Sequence, residues 1–145
     1  MWTRKSSGCV VYKVEDGLIQ VLLVSSTSEK NLVKWVLPKG GVEMELTERD
    51  SAAKEVYEES GALGVPGRSL GTVRMFKNAM MHNIEMFAMQ FQSFSDHWPE
   101  AEIRERSWFE AHRALNLIDP YMAPFVWDVI QGLEANAEHE SRKAG

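Results

Sequence analysis

A single cysteine, Cys9, is all the thiol this 145-residue sequence contains. It cannot form an intrachain disulfide, and it cannot build a thiolate metal cluster. It lies in the apolar run Cys9-Val10-Val11, where a buried, inert thiol is expected. Long hydrophobic runs are missing too. No window approaches the roughly 20 apolar residues of a membrane-spanning helix, and the first 17 residues hold no apolar stretch of signal-peptide length. The expected setting is a reducing cytoplasm with no membrane attachment. Positive charge is in deficit, with 16 Lys and Arg against 21 Asp and Glu, a net charge of −5. That balance argues against non-specific nucleic-acid binding, while leaving room for a local basic pocket. Repeats and low-complexity linkers are also lacking. One domain spanning residues 1–145 is expected, long enough to bury a core.

What is present alternates between strand-like and helix-like segments. Gly8 to Val14 and Leu18 to Ser25 are β-branched and aliphatic, and Glu15-Asp16-Gly17 between them is a turn signal, so the pair reads as a hairpin. Residues 26–34 read as a polar loop. Trp35-Val36-Leu37 is a short apolar strand stopped by Pro38-Lys39-Gly40-Gly41. Thr47 suits an N-cap, Glu48 and Asp50 suit the first turn of the helix it opens, and Gly61 suits a left-handed stop. Ser69 to Lys77, Asn83 to Phe94 and Arg106 to Glu110 read as further strands. The second has apolar residues on both faces and is expected to be central. Asp119-Pro120 is expected to open a last helix. Met122, Phe125, Val126, Val129, Ile130 and Leu133 form its buried stripe. The polar tail from about residue 137 is expected to fray. Strands between helices predict a mixed sheet packed on both faces.

The most informative segment is residues 40–62, GGVEMELTERDSAAKEVYEESGA. Glu55, Glu58 and Glu59 fall at i, i+3 and i+4, and on a helix such positions share a face about 5–6 Å apart. Three carboxylates there repel one another, unless a hard divalent cation reverses the sign. Taken alone, carboxylates on a helix are ordinarily a solvated face. The glycine turn and the spacing set these apart.

That spacing resembles the Nudix box of pyrophosphohydrolases. Gly40, Lys54, Glu55, Val56, Glu58, Glu59, Gly61 and Ala62 fall in its register. The resemblance implies the Nudix fold, an α/β/α sandwich around a mixed central sheet. It implies Mg²⁺, or Mn²⁺, held by the Gly40 carbonyl, Glu55 and Glu59, with Glu58 as base or further ligand. Glu100, Glu102 and Glu105 are candidates for a ligand outside the box. Two positions depart from the pattern. Leu46 stands where the family has Glu, and Lys54 where it has Arg, so an ion pair has changed on both sides. Glu43 or Glu45 can stand in for the missing carboxylate.

From about Ser7 to Leu117 the sequence also resembles the diphosphoinositol polyphosphate and diadenosine polyphosphate phosphohydrolase branch of that family. The likeness is carried by Val21 to Ser26, Trp35 to Gly41 and Arg104 to Phe109. It implies a small-molecule polyphosphate substrate. The alternatives are a nucleoside triphosphate or RNA 5′-end pyrophosphohydrolase, or a ligand-binding domain without turnover. Dense phosphate needs local cations. Lys5, Lys39, Arg104 and Arg106, with the Gly41 backbone, are the expected contacts. Arg4, Lys34, Lys77 and His82 are further candidates. Arg104 and Arg106 are two apart and share a face if both lie on a strand. Trp108 and Phe109 are expected in the core.

Overall fold

The computed structural model describes residues 2–26 and 33–144. Most of the loop expected over residues 26–34 falls outside them. The chain runs β1 (Thr3–Glu15), β2 (Leu18–Ser25), β3 (Trp35–Val36), β4 (Lys39–Gly41), α1 (Glu48–Ser60), β5 (Ala62–Leu63), β6 (Pro66–Lys77), β7 (Met80–Gln90), β8 (Ser93–Phe94), β9 (Arg106–Glu110), α2 (Ala111–Leu117) and α3 (Ala123–Ala144).

A mixed sheet has the order β3-β2-β1-β7-β6, with β4 paired to β1 and β9 to β2. Only β1 and β7 run parallel; the other pairs in this sheet are antiparallel. β1 changes partner along its length. Its second half pairs with β2 from Tyr12 to Glu15. Its first half pairs with β4, through Ser6–Gly41, Ser7–Gly40 and Gly8–Lys39. That second pairing turns Pro38-Lys39-Gly40-Gly41 from a plain turn into a strand held against the sheet centre.

Alternation along the strands divides the core in two. Cys9, Val11, Leu22, Phe87 and Met89 pack under Ala52 and Val56 of α1. Val10, Val21, Leu23, Ile84 and Met86 pack under α2 and α3, against Ala111, Ala114, Phe125, Val126, Val129 and Ile130. A one-residue slip in β1 would exchange the two sets, so register is fixed by both layers at once. The result is the expected α/β/α sandwich. Ala52 is fully buried, and its small side chain lets α1 lie close to the sheet. Cys9 is fully buried, and burial pushes its thiol up to about 12. Among the described residues no helix is long and apolar enough to cross a membrane.

Several boundaries differ from expectation. The strand from Asn83 divides into β7, ending at Gln90, and the short β8. Asp119-Pro120 does not open the last helix. Residues 119–122 form a turn closed by Met122 N–H to Asp119 and Ala123 N–H to Pro120, and α3 starts at Ala123. The helix α2 carries no strong pattern of its own; the side chain of Glu110 caps it by accepting from Arg113 N–H. The polar tail from residue 137 is helical, because α3 continues to Ala144. Ala, Glu, Arg and Lys in that stretch are good helix formers, and Arg142 and Lys143 complement the dipole in the last turn.

Candidate active site

The box helix is set by local chemistry. The Thr47 side chain accepts from Asp50 N–H at its start, and Gly61 ends it at φ 73° in the left-handed region. The segment after β8 is tied to the same end of the helix. Ser95 N–H donates to Gly61, Glu100 N–H donates to the Glu58 carbonyl at 3.0 Å, and Tyr57 Oη donates to the His97 carbonyl. Glu100 is thereby carried to the box carboxylates, a placement that no sequence spacing announces. Glu102 and Glu105 are both exposed, and among the described residues neither makes a hydrogen bond or ion pair to the box.

Glu55 and Glu59 face the β4 turn. A β-carbon added to Gly40 would lie 2.3 Å from the Glu55 carboxylate, so only glycine leaves that carboxyl room beside the backbone. Glu59 is buried, 4% exposed. One of its oxygens accepts from Lys39 N–H at 3.3 Å, and the other lies 3.5 Å from Arg104 Nη2. Burial pushes the Glu59 carboxyl up to about 8; Arg104 opposes this, and Glu55 and Glu100 add to it. Glu55 is also raised, by burial first and then by Glu58 and Glu100. These carboxyls crowd one another in a dry place, the electrostatic situation that a hard cation relieves. The donor set is all oxygen, and Gly40 leaves it space, so the residues fit Mg²⁺ or Mn²⁺. Among the described residues, no three acidic or histidine side chains already converge to hold a cation. Glu58 is drawn to Lys54, 3.3 Å away, and Glu59 to Arg104.

The two departures meet one of the two alternatives that the sequence offered. Lys54 bonds Glu43 as well as Glu58. Glu43, of the two stand-ins considered, supplies the carboxylate that position 46 lacks. Leu46 takes no part beyond a backbone bond to Glu43.

Beside the carboxylates, across β4, lies a polar pocket of about 210 Å³ lined by Lys34, Lys39, Lys77, Arg104, Glu59, Asp119 and Tyr121 among others. Lys34 pairs with Asp119 at 2.8 Å. Burial holds the Lys39 ammonium below its usual range, and Glu59 and Asp119 oppose the shift. Asp119 and Tyr121 come from the turn before α3 and had no signal as site residues. A larger groove of about 790 Å³, between the β1–β2 hairpin and the end of α3, contains none of the predicted site residues.

Three predicted contacts, Lys5, Gly41 and Arg106, do not line this pocket. Lys5 lies 3.8 Å from Glu48 on the α1 face of the sheet. Its neighbour Arg4 points the other way, over Gly41, where a β-carbon would meet its guanidinium at 2.7 Å. Strand alternation decides this. Arg104 and Arg106 share no face either, because β9 begins only at Arg106. The Arg106 guanidinium is sandwiched 3.8 Å from the Phe94 ring and 4.0 Å from the Trp98 ring, and it donates to the Ser60 carbonyl at 2.7 Å. It clamps the end of α1 through cation–π contacts.

Comparison with known proteins agrees with this geometry. The NUDIX domain pattern matches residues 2–130. The chain belongs to the NUDIX family. Nudix hydrolase 21, chloroplastic, of Arabidopsis thaliana is 34% identical over 119 residues, which are 79% of this chain and 59% of that protein. Diphosphoinositol polyphosphate phosphohydrolase 2 of Rattus norvegicus is 32% identical over 118 residues, 79% of this chain and 63% of the relative. The chain thus spans less than two thirds of the length of these curated relatives. Among solved structures, a C. elegans Ap4A hydrolase complex superposes with TM-score 0.75 at 19% identity, covering 91% of this chain and 98% of that one. At that identity the likeness concerns the fold. The Nudix domain of this chain therefore presents its box glutamates on α1 beside a cationic pocket.

Proposed function

We propose that this Nudix domain is a Mg²⁺-dependent pyrophosphohydrolase, served also by Mn²⁺, that cleaves a phosphoanhydride bond in a small polyphosphorylated molecule. The observation that carries the reading is adjacency. The crowded carboxylates, Glu59 buried and Glu55 and Glu100 half-buried, border a pocket carrying Lys39, Lys77 and Arg104, and Arg104 and Glu59 belong to both.

The Gly40 carbonyl, Glu55 and Glu59 are the residues that would hold the metal, with Glu100 as the ligand from outside the box. A bound Mg²⁺ supplies Lewis acidity and makes a coordinated water acidic near neutral pH. Lys39, Lys77 and Arg104 bind and orient the phosphates, with the β4 backbone at Gly41 and the Arg4 guanidinium beside it as further contacts. Glu58 stands at the rim, less buried than Glu59. It accepts the proton of the attacking water, with Lys54 beside it to fix its orientation.

The names of relatives point to substrates with phosphates in a row. We therefore propose a dinucleoside polyphosphate or a diphosphoinositol polyphosphate, acting in the cytoplasm, where the free Cys9 stays reduced. The test is a panel of dinucleoside polyphosphates, diphosphoinositol phosphates, nucleoside triphosphates and triphosphorylated RNA, each with Mg²⁺, with Mn²⁺ and with chelator. Metal-dependent turnover concentrated in the first two classes is expected. Preference for triphosphates or RNA would move the substrate assignment, and binding without turnover across the panel would make the domain a ligand sensor.

A further inference from the structure

Arg104 makes three contacts of unequal quality. Its Nε donates to Glu100 Oε1 at 2.7 Å, and its Nη1 donates to the Ser25 carbonyl at 2.8 Å. Its Nη2 lies 3.5 Å from Glu59 Oε2, beyond the usual 2.7–3.2 Å of an N–H···O bond. A guanidinium is a rigid planar fork, so anchoring two nitrogens fixes where the third points. The anchors are themselves held. Ser25 N–H donates to the Glu105 carbonyl at 2.9 Å and the Ser25 hydroxyl accepts from Glu105 N–H at 2.8 Å, while Glu100 N–H donates to the Glu58 carbonyl. Glu59 is the opposite case. Among the described residues, its second oxygen has only the long 3.3 Å hydrogen bond from Lys39 N–H. A firmly held guanidinium therefore faces a loosely held carboxylate, at the wall of the cationic pocket.

We propose that Nη2 of Arg104 is a shared donor, held by Glu59 in the metal-free protein and released to a phosphoryl oxygen once Glu59 turns to a divalent cation. The inference rests on the reading of Glu59 as a metal-holding residue given above. Arg104 stays in place while its partner changes. Metal and polyphosphate binding then reinforce each other through one hydrogen-bonding group. Linkage requires the coupling to be reciprocal. Arg104 is in this sense a positioning residue before substrate arrives and a binding residue afterwards.

The test is calorimetric titration of MgCl₂ into metal-free wild-type, Arg104→Gln and Arg104→Lys proteins without substrate, all at the same mildly alkaline pH. Removing the competitor for Glu59 is expected to tighten Mg²⁺ binding by about fivefold or more, the lower range of measured couplings. In the lysine variant the single ammonium fills the Glu100 and Ser25 anchors and stops short of Glu59, so the same tightening is expected in a protein that keeps the local charge. KM for the polyphosphate should rise in both variants, with kcat changed less. Unchanged or weakened Mg²⁺ binding in the variants would overturn the inference, since a purely structural arginine predicts that sign. Absence of Mg²⁺ binding in wild type would overturn the metal-site reading as well, so the two failures are distinguishable.

Discussion

The Glu55 carboxylate occupies the space that a side chain at Gly40 would need, 2.3 Å from the place of its β-carbon. The obstacle is the far end of a flexible side chain, and Gly40 is not among the glycines with positive φ. Gly40→Ala is therefore expected to fold with little change in Tm, while displacing Glu55 and lowering kcat by about 10²-fold, the scale of losing one charge-stabilising group. Gly8 is the contrasting control. A β-carbon there would lie 2.2 Å from the Pro38 carbonyl oxygen and 2.5 Å from Lys39 Cβ. That obstacle is packed backbone, so Gly8→Ala should cost about 1–3 kcal/mol of stability. Paired thermal melts and turnover measurements separate the two; a Gly40→Ala protein with normal kcat would remove Glu55 from the mechanism.

Glu58→Gln and Glu59→Gln are each expected to lower kcat by about 10²-fold or more. Both should fold: Glu58→Gln removes a negative charge from a crowded helix face, and Glu59→Gln puts a neutral side chain of the same shape in place of a buried carboxyl that is raised to about 8. Circular dichroism with steady-state kinetics checks this. Near-normal turnover in either variant would mean that its residue has no part in the chemistry.

The Glu59 carboxyl is raised to about 8 by burial, against the opposing pull of Arg104. The sign follows from linkage. The stability carried by its protonated form is fully present below the usual glutamate pKa of about 4.3, and it is lost as pH rises through about 8. Metal-free protein should melt at progressively lower temperature between about pH 5 and pH 9. Added Mg²⁺ should recover more stability at the alkaline end, where no proton has to be displaced from Glu59. Glu59→Gln should flatten the metal-free profile. Melting curves in a pH series are the measurement, and a profile equally steep in the variant would assign the effect elsewhere.

Lys54 links Glu43 to Glu58 across a half-exposed surface. Exposed ion pairs contribute little to stability, so Lys54→Met should leave the Tm nearly unchanged. It should lower kcat with KM nearly constant, because it frees Glu58 rather than any phosphate contact. Glu43→Gln should act in the same direction and more weakly, since Lys54 keeps Glu58 as its partner. An effect confined to KM in these variants would show that Lys54 contacts substrate.

The residues of α1 needed no tertiary information to be read. Its N-cap, its first-turn acids, its left-handed stop and the Glu55/Glu58/Glu59 spacing are all set within one helix, where neighbours in sequence are neighbours in space. The β1–β2 hairpin and the two-sided apolar pattern of β7 were legible for the same reason. The cationic residues were not. Lys5 and Arg4 look equivalent in a basic run, and only the pairing of β1 with β4 and β7 decides that Arg4 overlies Gly41 while Lys5 turns to Glu48. Arg104 and Arg106 have the spacing of strand partners. One precedes the strand and reaches the carboxylates; the other is claimed by Phe94 and Trp98. Glu100, Asp119 and Tyr121 reach the site from segments far along the chain. Such contacts are chosen by which surfaces the packed layers leave open, and a sequence pattern with a period of two or 3.6 residues carries no record of them. The sequence determined the helix that bears the carboxylates, and the packing of the sheet against both helical layers decided which charges surround it.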